Sequence, residues 1–232
     1  MMSDKASTNT GTRQHHRTAL GREQREKTRA WIIESAIPVF AQHGPDAPVV
    51  DDFVKAAGVS RGTFYNYFPT TRELLDAAVE TLSNEVIAMI VPVVQDVRDP
   101  LQRLALAARL YYRKATHDPL FRAFLGSVSS VGTLAIEHAR GDLQEAMDQG
   151  LLQVADIELA QAIAVGVMVF ALKTRAAQVA NDEHGTQVVR AILAGLGVSP
   201  ARIERALRVP LPPSDAKPDV RAVAETSDLP LG

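Results

Sequence analysis

"AAGVSRGTFYNYF", residues 56–68, is the stretch whose reading decides the fold. Gly58 stands where a chain leaving one helix must turn sharply, because glycine takes a positive φ without a Cβ clash. Val59 follows as an apolar plug between two helices. Ser60 is the N-cap of the second helix, its hydroxyl placed to accept from the exposed amides near Gly62 and Thr63. Phe64 and Phe68, four apart, share a face and pin that helix to a core. Arg61, Gly62, Thr63, Tyr65, Asn66 and Tyr67 are left facing outward.

Two outward tyrosines beside an arginine are poorly explained as a plain solvated face and well explained by DNA. The first residues of a helix laid in the major groove reach base edges. Arg61 suits a bidentate pair with guanine, and the Thr63 methyl suits the methyl of thymine. Gly62 allows close approach of the backbone. Tyr65, Asn66 and Tyr67 offer donors to phosphates, which set register without reading sequence. The competing reading is a helical hairpin with a surface aromatic cluster.

Outward from this stretch the spacing is helical throughout, with no convincing strand alternation. "TRAWIIESAIPVFAQHG" puts Ile33, Ala36, Ile37 and Phe40 on one stripe and stops at Gly44, with Pro38 expected to kink it. Val50 to Ala57 forms a short helix with Val50, Phe53, Val54 and Ala57 inward. "RELLDAAVETLSNEVIAMI" is a longer one that Pro92 ends or bends. Asp99-Pro100 and Asp118-Pro119 each supply a cap followed by a first-turn proline. Further helices are expected to a C-cap at Gly150, over 156–181, over "TQVVRAILAGL", and in a short turn capped by Ser199. The expectation is an all-α chain of about nine helices. It divides into a flexible polar arm at 1–22, a helix-turn-helix domain at 23–70, a helical domain at 71–209 and a disordered tail at 210–232 with five prolines.

Composition agrees. The 232 residues are 46% hydrophobic but only 5% aromatic, an aliphatic interior typical of helices. There is no cysteine, which excludes disulfides and thiolate metal sites and points to a reducing cytoplasm. No apolar run approaches the ~18 residues of a membrane span, and no secretory core opens the chain, so neither membrane nor export is expected. The net charge of −2 conceals an asymmetry, with residues 1–75 at +2 and the remainder at −4. That division permits a polyanion at one end only.

Catalytic and metal signatures are missing. The chain holds no Glu-x-x-His, no Gly-x-Gly-x-x-Gly and no phosphate loop, and His15-His16 lacks a second ligand pair. His117-Asp118 and Glu137-His138 are adjacent in sequence, which on a helix points them apart. No enzyme, cofactor or metal is therefore expected. A remaining alternative is a helical ligand-binding or scaffold protein whose DNA module has decayed.

"VVDDFVKAAGVSRGTFYNYFPTTRELL" closely resembles the signature of TetR/AcrR-type transcriptional regulators, strongly over residues 25–75 and weakly beyond. The resemblance implies a three-helix DNA-binding domain, joined by a fourth helix to a larger domain that binds an effector and forms a homodimer. It also implies a ligand-responsive repressor, released from a near-palindromic operator by a small lipophilic or amphipathic molecule. Three departures stand out. Pro48 and Val49 replace the usual capping hydroxyl before the second helix, Val54 replaces an alanine, and Thr71-Arg72 follows "FP" where a lysine is common. Phosphate contacts are accordingly expected to shift to Arg72 and to Arg22, Arg25, Lys27 and Arg29.

The implied cavity belongs among the helices of residues 90–198, where Tyr111, Tyr112, Arg113, His117, Phe121, Phe124, His138, Met147 and Met168 are the candidates; an inward Arg109 or Arg113 would admit an anion. "AIAVGVMVFAL" is apolar nearly all round, so one face is expected to pack on the domain and another on a second copy. Ala160, Ala164, Val167 and Ala171, with Val189 and Leu193 of the next helix, are the expected dimer contacts.

Overall fold

The structure, a computed structural model, describes residues 9–124, 131–175 and 181–213. Ten helices run through them: α1 (Asn9–His43), α2 (Val50–Ala57), α3 (Arg61–Tyr65), α4 (Thr71–Val94), α5 (Pro100–His117), α6 (Pro119–Phe124), α7 (Thr133–Asp148), α8 (Ile157–Arg175), α9 (Asp182–Gly195) and α10 (Pro200–Leu207). No strand occurs among the described residues. The all-α expectation holds.

The chain forms two units. One comprises the described residues of Met1–Leu82 and Pro119–Val128, the other those of Ser83–Asp118 and Ser129–Gly232. The division thus falls inside α4, later than the boundary expected at residue 70, and α6 belongs with the N-terminal helices. Packing explains both shifts. The first half of α4 buries Leu74, Leu75, Ala78, Val79 and Leu82. From α6, Phe124 sits edge-on to Phe40 at 5.9 Å between ring centres.

In the first unit, a train of rings ties α1, α2 and α3 together. Phe40 lies 4.8 Å from Phe53, Phe53 stacks on Phe64 at 6.3 Å, and Phe64 meets Phe68 at 6.2 Å. All four are essentially fully buried. Ring pairs at these separations add about 0.5–1.5 kcal/mol each beyond the area they remove from water.

In the second unit, α5 packs against α7, α8, α9 and α10, and α8 against α7 and α9. Asp99 opens α5, its carboxylate accepting from the amides of Leu101 (2.9 Å) and Gln102 (3.2 Å), with Pro100 next, as expected. Ser199 holds the N-cap position of α10, but its hydroxyl makes no cap bond. Gly150 takes φ 66° after α7 and donates to the Met147 carbonyl.

Several expectations are corrected. From Asn9 the supposed arm is already part of α1, and residues 1–8 lie outside the described ones. Polarity was a poor guide here: Arg13, Gln14, Arg17, Ala19, Leu20 and Arg22 of this stretch are good helix formers, and the helix continues without a break into Glu23, which pairs i,i+4 with Lys27. Helices α1 and α4 continue through Pro38 and Pro92. Both prolines lie on exposed faces, where water can satisfy the carbonyl left without a donor. Residues 214–232 of the expected tail lie outside the described residues, while 210–213 are ordered against α5, Arg113 donating to the Pro212 carbonyl at 2.7 Å. Finally, α4 and residues Ile157–Thr174 of α8 are long and apolar enough to cross a bilayer by length and composition. Much of α4 is turned into the cores just described. Helix α8 buries only Ala160, Ala164, Met168 and Leu172.

Candidate nucleic-acid interface and cavity

The turn between α2 and α3 is built as its residues require. Gly58 takes φ 65°, ψ 31°, the left-handed region, and donates to the Val54 carbonyl; the Val59 amide reaches the same carbonyl at 3.2 Å. Ser60 adopts extended backbone, and its hydroxyl accepts from the Thr63 amide at 3.0 Å and meets the Thr63 hydroxyl at 2.8 Å. At the start of α2, Val49 offers no side-chain cap. Asp52 compensates by reaching back to accept from the Val49 amide at 2.8 Å. The missing hydroxyl at Pro48-Val49 therefore leaves the helix end half satisfied, not frayed.

This geometry exposes Ser60, Arg61, Gly62, Asn66 and Tyr65, the last with half its surface in water, and leaves Thr63 and Tyr67 half-buried. Of the nine expected contacts, those seven share one continuous stretch around α3. The two arginines are differently placed. The Arg29 guanidinium lies 5.2 Å above the Phe68 ring, and Arg72 pairs with Asp76 at 3.2 Å on the exposed first turn of α4. Arg25 lies 5.5 Å over the Tyr67 ring and donates to the Asn66 carbonyl at 3.4 Å. Helix α1 therefore delivers two cations to the C-terminal end of α3.

Two contacts had no signature in the sequence reading. Asp51, on the first turn of α2, binds Arg61 in a fork: Nε donates to Oδ1 at 2.7 Å and Nη2 to Oδ2. That hydrogen bond holds the Asp51 carboxyl below its ordinary pKa and raises that of Arg61. The pair is fully exposed, so its value lies in orientation more than in stability. With Nε and one Nη2 proton engaged, the outer edge of the guanidinium still presents two parallel N–H groups, the pattern that matches guanine O6 and N7. The second contact is Trp31, whose indole donates to the Ala57 carbonyl at 2.8 Å and fastens α1 to the end of α2.

The second unit encloses a cavity of about 350 Å³. Its walls come from the later half of α4 (Ile87, Ile90, Val91, Val94), from α5 (Leu104, Ala107, Ala108, Tyr111), from α7 (Ala135, His138, Ala139, Asp142), and from α8 and α9. Of the expected lining residues, Tyr111, His138 and Met168 are there. The Tyr111 hydroxyl is already tied to Ser83 (2.9 Å) and to the Val131 carbonyl (3.0 Å), so the residue presents its ring.

The other expected lining residues lie elsewhere. Tyr112 is fully buried against α9, so close to Gly185 that a Cβ there would meet Tyr112 Cδ1 at 2.6 Å. Arg109 donates to the Leu207 and Val209 carbonyls and Arg113 to that of Pro212, so neither lines the cavity. His117 Nε2 lies 3.2 Å from Asp182 Oδ1. Phe121 and Phe124 belong to the first unit, and Met147 is not in the wall. Arg103 and Asp142, unforeseen, are in the wall. Arg103 Nε donates to Asp142 at 2.5 Å, Nη1 to the Val97 carbonyl at 2.9 Å, and Nη2 to Glu145. Burial pushes the Asp142 carboxyl above its ordinary pKa, and the hydrogen bond from Arg103 offsets only part of that.

The expected dimer contacts also divide. Ala160, Ala164, Val189 and Leu193 are buried within their own domain, the last three of them facing the cavity; Val167 and Ala171 are half-buried. The apolar surface that α8 leaves free lies on another face, at Leu159 and at Phe170, which is 70% exposed.

The sequence profile of the tetR family of bacterial regulatory proteins matches residues 32–78, from the buried face of α1 through the turn and α3 to the first half of α4. Over that stretch the chain is similar to the tetR family. Among curated relatives, the HTH-type transcriptional regulator YvdT of Bacillus subtilis is 37% identical over 59 residues, 25% of this chain and 30% of YvdT. The probable acrEF/envCD operon repressor of Escherichia coli is 42% identical over 50 residues, 22% of this chain and 23% of the repressor. The chain thus spans under a third of the length of either relative. Among solved structures, RolR in complex with resorcinol superimposes with a TM-score of 0.69 at 26% identity, covering 83% of this chain and 98% of RolR.

Proposed function

We propose that the chain is a sequence-specific DNA-binding regulator of transcription, acting in the cytoplasm as a homodimer. It represses from a near-palindromic operator and is released by a small organic effector. The observation that carries the reading is the Ser60-capped α3, which exposes Arg61, Gly62, Tyr65 and Asn66 beside the Arg25 and Arg29 guanidiniums of α1. The unbroken cap, turn and ring train weigh against a decayed DNA module.

The effector half of the proposal rests on the cavity, whose volume falls at the small end of ligand sites. RolR, similar over most of the chain, was solved with a single-ring diphenol. Helix α4 carries the signal by continuity, because Ile87, Ile90 and Val94 line the cavity while Leu74 and Leu75 of the same helix are core to the first unit. A coupling of ~1–3 kcal/mol would weaken DNA binding about 5- to 150-fold, and operator would weaken effector binding by the same factor. The dimer face is assigned to the free side of α8 around Leu159 and Phe170.

The test is a mobility-shift titration of the chain on DNA flanking its own gene, against a random duplex. Specific retardation abolished by Arg61→Ala supports the reading; equal retardation of both duplexes contradicts it. In sedimentation, Phe170→Asp should convert dimer to monomer, and an unchanged dimer would move the interface elsewhere.

A further inference from the structure

The cavity is apolar over most of its wall and polar at one end only. Along the apolar part, Ile87, Ile90, Leu104, Ala135, Met168 and Ile192 present hydrocarbon. At the other end stand Arg103, His138 and Asp142, which also belong to a shallow depression holding Glu137 and Glu145. His138, Glu137 and Gln95 are exposed, so this polar end is the mouth.

The charge of the single arginine there is already balanced by two carboxylates. Each of its three nitrogens donates within the protein, to Asp142, Val97 and Glu145. A carboxylate entering the cavity would meet at most two remaining N–H groups on a guanidinium whose charge is already neutralised. It would also have to pass Glu137, Asp142 and Glu145, three formal negative charges against one positive, of which Asp142 and Arg103 are largely removed from water and so weakly screened. A hydrogen-bond donor meets the opposite situation, since the groups with acceptor capacity to spare are carboxylate oxygens and the His138 imidazole.

We propose that the effector is a one-ring-sized apolar molecule headed by a hydrogen-bond donor, uncharged or cationic, and that the acidic mouth excludes carboxylate-headed molecules of the same shape. This deepens the effector reading and rests on the cavity being the effector site.

The test uses three probes of matched shape, 4-phenylbutan-1-amine, 4-phenylbutan-1-ol and 4-phenylbutanoate, titrated calorimetrically into the full chain near neutral pH. The amine and the alcohol should bind, and the carboxylate should bind at least about tenfold more weakly than the alcohol, a difference of about 1.4 kcal/mol. In Asp142→Asn/Glu145→Gln, which frees Arg103, the carboxylate should become the tightest of the three. Glu145→Gln alone, at a half-exposed position, should narrow the gap without endangering the fold. A wild-type chain that binds the carboxylate as tightly as the alcohol overturns the charge assignment and leaves the cavity reading standing. Discrimination unchanged in Glu145→Gln and in the double variant shows that the corner does not set it. If none of the three binds to folded protein, the cavity is not the effector site, and both readings fall together.

Discussion

The two units bury their apolar faces with different side chains, and the difference matches the role proposed for each. The first is held by aromatic rings: Phe40, Phe53, Phe64 and Phe68 run in contact from α1 through α2 to α3. Rings are stiff, with two side-chain torsions each, and a train of them transmits position well. The second is built mainly from Ala, Val, Leu and Ile, with Tyr111 and Tyr112 as the rings of its core, and leaves about 350 Å³ unfilled. An aliphatic wall around a void can adjust to an occupant at little cost. A helix proposed to enter a groove in register suits the first kind of core, and a chamber proposed to respond to a ligand suits the second.

The largest expected effect breaks that contrast if it fails. Phe64→Ala removes the middle of the train and should destabilise the first unit by ~3–5 kcal/mol, abolishing DNA binding. Val165→Ala, at the cavity wall and half-buried, should cost far less, because little packs against what is removed. Urea denaturation of both variants measures the difference, and similar costs would show the two cores to be alike.

Next in size is Arg61→Ala, expected to weaken binding to a specific duplex about tenfold to a hundredfold while changing binding to random DNA little. Anisotropy titrations on both duplexes decide it; equal losses would make Arg61 a phosphate contact.

Gly185→Ala sharpens the contrast inside the second unit. A Cβ there collides with the Tyr112 ring, so a loss of ~1–3 kcal/mol in thermal unfolding is expected where α5 meets α9. A neutral substitution would mean that the looseness of the cavity extends through the domain. Smallest is Asp51→Asn, which weakens the fork without touching the fold. The ratio of specific to random DNA affinity should fall only a few-fold, and an unchanged ratio would show that Arg61 orients itself.

What was legible in the sequence follows the same contrast. The bounds of α2, the left-handed Gly58 and the Ser60 cap were readable because each depends on residues within one turn. The Arg61–Asp51 fork spans ten positions and the Trp31–Ala57 bond twenty-six, and no local rule pairs them. Helical spacing marked α5, α7 and α8 as having buried faces without saying which face meets a void. Tyr111 and Tyr112 were therefore equal candidates, although one lines the cavity and the other packs against Gly185. On α8, the small residues Ala160 and Ala164 read as a helix–helix contact, and they are one, but with the chain's own core. The cluster of Arg103, Asp142 and Glu145 joins α5 to α7 across about forty positions, beyond the reach of any spacing argument.

The central claim is that α3, as capped and oriented here, reads a DNA sequence. Repeated selection of the full chain on a randomised duplex library, followed by sequencing, tests it most directly. The account predicts enrichment of a near-palindromic site with half-sites about one helical turn apart, and loss of base preference within each half-site when the selection is run with Arg61→Ala. A library that emerges unenriched from wild-type protein, or an enriched site that Arg61→Ala selects unchanged, would contradict it.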